Sequence, residues 1–168
     1  MLKQYHAKAT FFCIGNNVQK HPELFQAIIE GNHRIGNHTF NHAKGWKTTT
    51  DQYLEDVKLA QDTISKQLGN SSNHGNLFRP PFGQIKNSQA NALIKLGYKI
   101  IMWSVITFDW EQDITKAQCL KNAMSKTNNG DIVVFHDSVK AFKNMRYALP
   151  EFLDYFSKKG FRFETIDV

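Results

Sequence analysis

The sequence reads as an α/β protein built on a parallel sheet, and three observations predict that class. Short apolar runs of strand length alternate with longer segments of helical periodicity along the whole chain. The runs, such as Ala9-Thr10-Phe11-Phe12-Cys13-Ile14, are almost continuously apolar, as strands covered on both faces are. The polar residues with chemistry to offer fall where those runs end. With 168 residues, 41% of them hydrophobic and 12% aromatic, residues 1–168 suffice for one domain with a real core. The alternation fits either an open sheet or a barrel.

In chain order, Met1 to His6 reads as the end of a helix. The first strand runs from Ala9 to Ile14 and stops at Gly15. The spacing of Leu24, Phe25, Ile28 and Ile29 predicts a helix over 18–31, with Gly31 as its stop. A second strand covers His33 to Asn37. Thr49 to Gly69 is the clearest helix: Thr49 and Gln52 fit a capping box, and Tyr53, Val57, Ala60, Ile64 and Leu68 make one stripe. Asn70 to Asn76 reads as a polar loop, and Leu77-Phe78-Arg79 as a third strand stopped by Pro80-Pro81. Ser88 is placed to cap a helix carrying Ala92, Leu93 and Leu96. Tyr98 to Val105 is a strong strand. Thr115 to Thr127 predicts a helix with Ala117, Leu120 and Met124 inward. Asp131 to Phe135 is a strand, Lys143 to Lys159 a helix that Pro150 can kink, and Phe161 to Ile166 a final strand.

The formal charge of +6 comes from 21 basic and 15 acidic residues. The basic residues are scattered, with Lys158-Lys159 the densest cluster, so they read as solvated surface and not as a nucleic-acid patch. No apolar run is long enough to span a membrane. Met1 to His6 has no apolar core and does not read as a signal peptide. Cys13 and Cys119 each lie in an apolar or helical run, which favours buried thiols over a disulfide.

The candidate chemistry starts with His38 and His42, four residues apart at the end of the second strand. Imidazole suits zinc and other divalent first-row metals. Arg79 also ends its strand, Asp109 lies just past the strand ending near Val105, and His136 directly follows the run ending at Phe135. In parallel α/β folds the active site gathers at the carboxyl ends of the strands. Each residue also has a structural reading: surface polarity for the His pair, an ion pair at the sheet edge for Arg79, a turn and a packing ring for Asp109-Trp110, a hydrogen-bonded core imidazole for His136. His6, His21, His33 and His74 read as surface residues.

Five segments carry a resemblance: Ala9-Thr10-Phe11-Phe12-Cys13-Ile14-Gly15, Gly36-Asn37-His38-Thr39-Phe40-Asn41-His42, Arg79-Pro80-Pro81-Phe82-Gly83, Asp109-Trp110 and Ile132-Val133-Val134-Phe135-His136-Asp137. In that order they resemble the polysaccharide deacetylases of carbohydrate esterase family 4, the NodB-homology domain. The resemblance implies a distorted (β/α) barrel that removes N- or O-acetyl groups from a polysaccharide: peptidoglycan, a chitin-like oligomer or xylan. His38 and His42 would be two ligands of a divalent metal, zinc or a substitute such as cobalt, that activates water and polarises the acetyl carbonyl. His136 would be the general acid, and Asp109 would orient it and stabilise its charged form. Arg79 would fix a carboxylate near the metal. The backbone N–H of Phe82 would help stabilise the oxyanion, and Trp110 would wall the sugar groove. The family often works in the cell envelope or outside the cell.

One departure stands out. The family's first motif, Thr-Phe-Asp-Asp-Gly on its first strand, supplies the general base and the third metal ligand. No such motif is present; Thr107-Phe108-Asp109 begins like it but continues with Trp110. The expectation is a chain that begins inside the helix after that motif. It would lack the first strand, expose a sheet edge that invites a homodimer, hold metal weakly and deacetylate weakly or not at all. A non-catalytic carbohydrate-binding relative is the alternative, and a metal hydrolase recruiting Asp137 as ligand is a third reading.

Overall fold

The structure is a computed structural model and describes residues 1–69 and 74–168. The chain divides into two compact units, one formed by residues 8–102 and 164–168, the other by residues 1–7 and 103–163.

The larger unit holds a four-stranded parallel sheet, β1 (Thr10–Cys13), β2 (Arg34–Asn37), β3 (His74–Phe78) and β4 (Lys99–Ile100), in the spatial order β1-β2-β3-β4. Phe11 pairs with Ile35 and Leu77 with Lys99, and the β2–β3 register shifts between Ile35 and Asn37. Three helices precede β3: α1 (Gly15–Lys20) and α2 (Pro22–Glu30) between β1 and β2, and α3 (Thr50–Leu68) between β2 and β3. A fourth, α4 (Asn87–Lys95), leads into β4.

The predicted helix over 18–31 is thus two helices. The break falls at His21, whose φ of −132° and ψ of 60° are those of a residue biased out of the helical region by the proline that follows. The reading of α3 is borne out in detail. Thr49 caps it by accepting the Gln52 N–H, and Tyr53, Val57, Ala60, Ile64 and Leu68 are all buried. Ser88 does not cap α4. The N-cap is Lys86, whose N–H is taken by the buried Gln89 side chain, while Ser88 shares a hydrogen bond with Thr50. The polar loop expected over 70–76 lies partly outside the described residues, and β3 begins already at His74.

The smaller unit holds a parallel pair, β5 (Val105–Ile106) with β6 (Val133–Val134), and the helices α5 (Lys116–Met124) and α6 (Phe142–Lys158). The strong strand predicted over 98–105 is therefore two short strands, β4 and β5, with no ladder across 101–104. Thr115 caps α5 by accepting the Gln118 N–H. Leu120 and Met124 pack against the core as expected and Cys119 and Ala123 are buried beside them, but Ala117 is exposed. Neither cysteine is in a disulfide among the described residues; Cys119 is buried as expected while Cys13 is only half-buried, and burial pushes the Cys119 thiol up to about 11. Helix α6 continues through Pro150. An aromatic core lies beneath it, with Phe152, Leu153 and Phe156 buried beside Ala7, Ala123, Phe135, Phe161 and Phe163.

The final strand predicted over 161–166 does not form. Phe161 and Phe163 go into that aromatic core instead. In the larger unit Ile166 donates its N–H to the Thr10 hydroxyl, and Arg34 reaches the Ile166 carbonyl and the Asp167 carboxylate. Side-chain partners at both ends take the place of a ladder. Met1 to His6 holds a single 3-10 turn, Leu2–Tyr5, ended by His6 in the left-handed region. Among the described residues no helix is long and apolar enough to cross a membrane.

Candidate functional site

The histidine pair sits on a loop that the sequence folds tightly. Asn37, the last residue of β2, is buried; its amide donates to the Val57 carbonyl and its Oδ1 accepts the Thr39 N–H. Asp56 of α3 takes the N–H groups of Phe40 and Asn41 and the Asn41 amide. The Thr39 hydroxyl accepts the Ala43 N–H. Thr39 and His42 are held at positive φ, 62° and 56°. That conformation is uncommon for residues with a Cβ, and worst for a β-branched one, so the surrounding bonds must impose it. The outcome is that the His38 and His42 rings lie 5.0 Å apart, centroid to centroid.

The His38 Nδ1 lies 2.6 Å from the Arg79 carbonyl oxygen. A carbonyl can only accept, so Nδ1 carries the proton and Nε2 carries the lone pair. Metal-binding imidazoles are commonly oriented this way. The Phe82 ring packs on His42 at 4.5 Å, and Phe82 also sits at positive φ, 59°. The donor set thus fits a divalent ion in kind and supplies two ligands. Among the described residues no group of three His, Cys, Asp or Glu is arranged to hold a metal.

Arg79 is 9% exposed. Its Nε donates to the Ile101 carbonyl, its Nη2 to the Met102 carbonyl, and its guanidinium lies 4.1 Å over the Phe12 ring. Gly36 makes room for that ring, since a Cβ there would fall 2.6 Å from Phe12. No carboxylate among the described residues pairs with Arg79. Burial without a counter-ion lowers its pKa to about 10.

The smaller unit gathers Asp109, Trp110 and His136. Asp109 is 0% exposed. One of its oxygens accepts the His136 backbone N–H at 2.6 Å and the other faces His136 Nδ1 at 2.8 Å. One carboxylate therefore fixes both the backbone and the ring of the same histidine. The His136 side chain stays 40% exposed. The Trp110 ring packs edge-on against it at 4.5 Å. Asp137 follows, exposed, beside Ser138, Val139 and Phe142 around a surface cavity.

His38, His42, Arg79 and Phe82 thus come together in one unit, and Asp109, Trp110 and His136 in the other. Of the remaining histidines, His6 and His21 are exposed, but His33 is half-buried, with its Nδ1 accepting the Ala9 N–H, and burial lowers its pKa. The polar residues that support Asp109 were not singled out by sequence. Asn144 of α6 donates to the carbonyls of Asp109 and Glu111, Asn122 of α5 donates to the Thr107 carbonyl, and the Thr107 hydroxyl donates to the Val134 carbonyl. A signal for one of them was present: Asn144 lies on the same i, i+4 stripe as Ala148, Phe152 and Phe156.

The polysaccharide deacetylase family model matches residues 1–101. The chain belongs to the polysaccharide deacetylase family. A peptidoglycan-N-acetylglucosamine deacetylase of Bacillus cereus is 30% identical over 99% of this chain and 76% of its own length. The peptidoglycan-N-acetylglucosamine deacetylase PgdA of Listeria monocytogenes is also 30% identical, and the chain spans 34% of it. Among solved structures, the Bc1960 peptidoglycan N-acetylglucosamine deacetylase superposes with a TM-score of 0.90 at 28% identity, covering 98% of this chain and 76% of that one. The peptidoglycan deacetylase PdaC of Bacillus subtilis gives 0.84 at 25% identity, covering 98% and 77%. The polysaccharide deacetylase fold expected from the motifs is thereby established, in a family of hydrolases that act on amide bonds.

Proposed function

We propose that this polysaccharide deacetylase hydrolyses the acetamido group of an N-acetylated glycan, with peptidoglycan N-acetylglucosamine as the substrate class, and that residues 1–168, offering two metal ligands and no Asp pair, do so weakly. The observation that carries the reading is the fully buried Asp109 carboxylate bonded to both the amide and the ring of His136. Nδ1 faces the carboxylate, so Nε2 is the nitrogen turned to other partners. Water's oxygen would bond to the acetyl carbon, the bond from that carbon to nitrogen would break with Nε2 giving its proton to the departing amine, and the water's proton would leave to solvent. The Trp110 edge against His136 would wall the sugar. Arg79 would bind a carboxylate, the Phe82 N–H would face the developing oxyanion, and His38 and His42 would hold the metal. When bound there, a divalent ion such as zinc or cobalt supplies Lewis acidity and lowers the pKa of a water.

The test is acetate release from an N-acetylglucosamine oligomer with zinc or cobalt added, against a chelator control. Metal-dependent release that disappears in His42→Ala is the expected result. Release that survives the chelator would overturn metal dependence. A second reading, a carbohydrate-binding relative without catalysis, has the two-ligand donor set in its favour. It expects no acetate from any arm and oligomer binding that persists with chelator.

The sheet edge bears on assembly. Among the described strands β1 pairs on one side only, with β2. An unpaired edge invites another chain, so a homodimer through β1 is the expected state. Light scattering would then give twice the 19.3 kDa of one chain, and a monodisperse monomer would count against it.

A further inference from the structure

We infer that Asn144, on the first turn of α6, is a positioning residue for the Asp109–His136 pair, with Asn122 of α5 as a second tether. The inference rests on the reading of His136 as proton donor given above. Asp109 sits between Phe108, held at a positive φ of 57°, and the exposed segment that begins at Glu111. A strained residue of this kind persists only where its surroundings over-determine it. Three bonds do so. The Thr107 hydroxyl is tied to the Val134 carbonyl on β6 at 2.8 Å, the Thr107 carbonyl takes the Asn122 amide at 3.2 Å, and the carbonyls of Asp109 and Glu111 take the Asn144 amide at 3.1 and 3.2 Å.

Asn144 is 3% exposed, and its Oδ1 is buried with no hydrogen-bond partner. The orientation of the amide is nonetheless unambiguous, because both of its partners are carbonyls and only the NH2 end can serve them. A polar side chain on the inward stripe of α6, with one end left unpaired, is costly for packing. What it does with its other end is bridge the backbone on both sides of Trp110. That bridge fixes the residue whose carboxylate holds His136, and the residue whose ring packs against it. Asn144 does not touch His136 itself; it acts through Asp109.

The test reads the His136 amide, whose proton is donated to Asp109 and therefore reports where that carboxylate sits. Hydrogen exchange is measured by NMR on the whole chain for Asn144→Ala, with the Cys119 amide in α5 as internal reference. Ala148→Gly is the control, since it loosens α6 on the same stripe without removing a bond to the loop. The expected result is exchange at His136 faster by about tenfold or more relative to Cys119 in Asn144→Ala, and no change in that ratio in Ala148→Gly. Where acetate release is measured on the same variants, kcat falls and KM holds in Asn144→Ala. An exchange ratio in Asn144→Ala equal to that of the control overturns the inference. Should Asn144→Ala fail to fold, Asn122→Ala is measured in its place; a raised ratio supports the tether and an unchanged one overturns it. Because exchange is independent of turnover, a chain that releases no acetate sinks the deacetylase reading and leaves this placement standing. A chain that releases acetate with an unchanged ratio does the reverse.

Discussion

Acetate release is expected to fall by about 10²–10⁴-fold in His136→Ala, with KM nearly unchanged, because positioned proton transfer is worth that much and acts only in the transition state. Asp109→Asn separates orientation from presence. The native carboxylate accepts twice, from the His136 N–H and from Nδ1. An amide in the same place has one acceptor and one donor, so one of those two hydrogens must face an NH2 group. Either the backbone bond is lost or the ring turns its Nδ1 lone pair to the NH2, which leaves the proton on Nε2 of a neutral ring; in both cases the carboxylate that favours the charged, proton-giving form is gone. A loss approaching that of His136→Ala is therefore expected, with a chain that still folds. The measurement is kcat and KM on an N-acetylglucosamine oligomer, alongside thermal unfolding of both variants. If Asp109→Asn kept wild-type kcat, the buried carboxylate would be structural only.

The sequence made some of this legible because the relevant physics is local. The stripe of α3 is a 3.6-residue period, its cap is a Thr three residues before a Gln, and all five stripe residues are buried. His38, His42, Asp109 and His136 were found because strand ends can be read from apolar runs. Other features depend on contacts that no window contains. Phe161 and Phe163 have the alternation of a strand, yet they pack, half-buried, against the core under α6. The tight loop at His38 depends on Asp56 and Val57, which lie on a helix some fifteen residues on. The positive φ values at Thr39, Phe82 and Phe108 have no signature, because none of those residue types favours that region, and histidine, though enriched there, visits it too rarely for His42 to announce it. The break at His21 has a local signature: Pro22 stands at the first turn of α2, where proline starts helices.

Phe152→Ala is expected to cost about 3–5 kcal/mol of stability, the range for emptying an aromatic core position. Phe152 is 5% exposed, and its ring lies 4.7 Å from Phe156, 5.8 Å from Phe135 and 6.0 Å from Phe163. Those partners come from different segments, so the cavity cannot be closed by shifting one of them, which favours the upper part of the range. Phe142→Ala, at the start of the same helix, removes the same group from a site that is 53% exposed and should change stability by about 0.5 kcal/mol or less. Urea unfolding followed by circular dichroism separates the two. A Phe152→Ala loss as small as that of Phe142→Ala would mean that the aromatic core is loosely packed. The consequence would reach the site, because Phe135 both meets Phe152 edge to face and directly precedes His136. With Phe152 gone, the backbone at Phe135 loses the ring that anchors it, and the His136 N–H loses its fixed distance to Asp109. Acetate release by Phe152→Ala is therefore expected to fall even at temperatures where the chain remains folded.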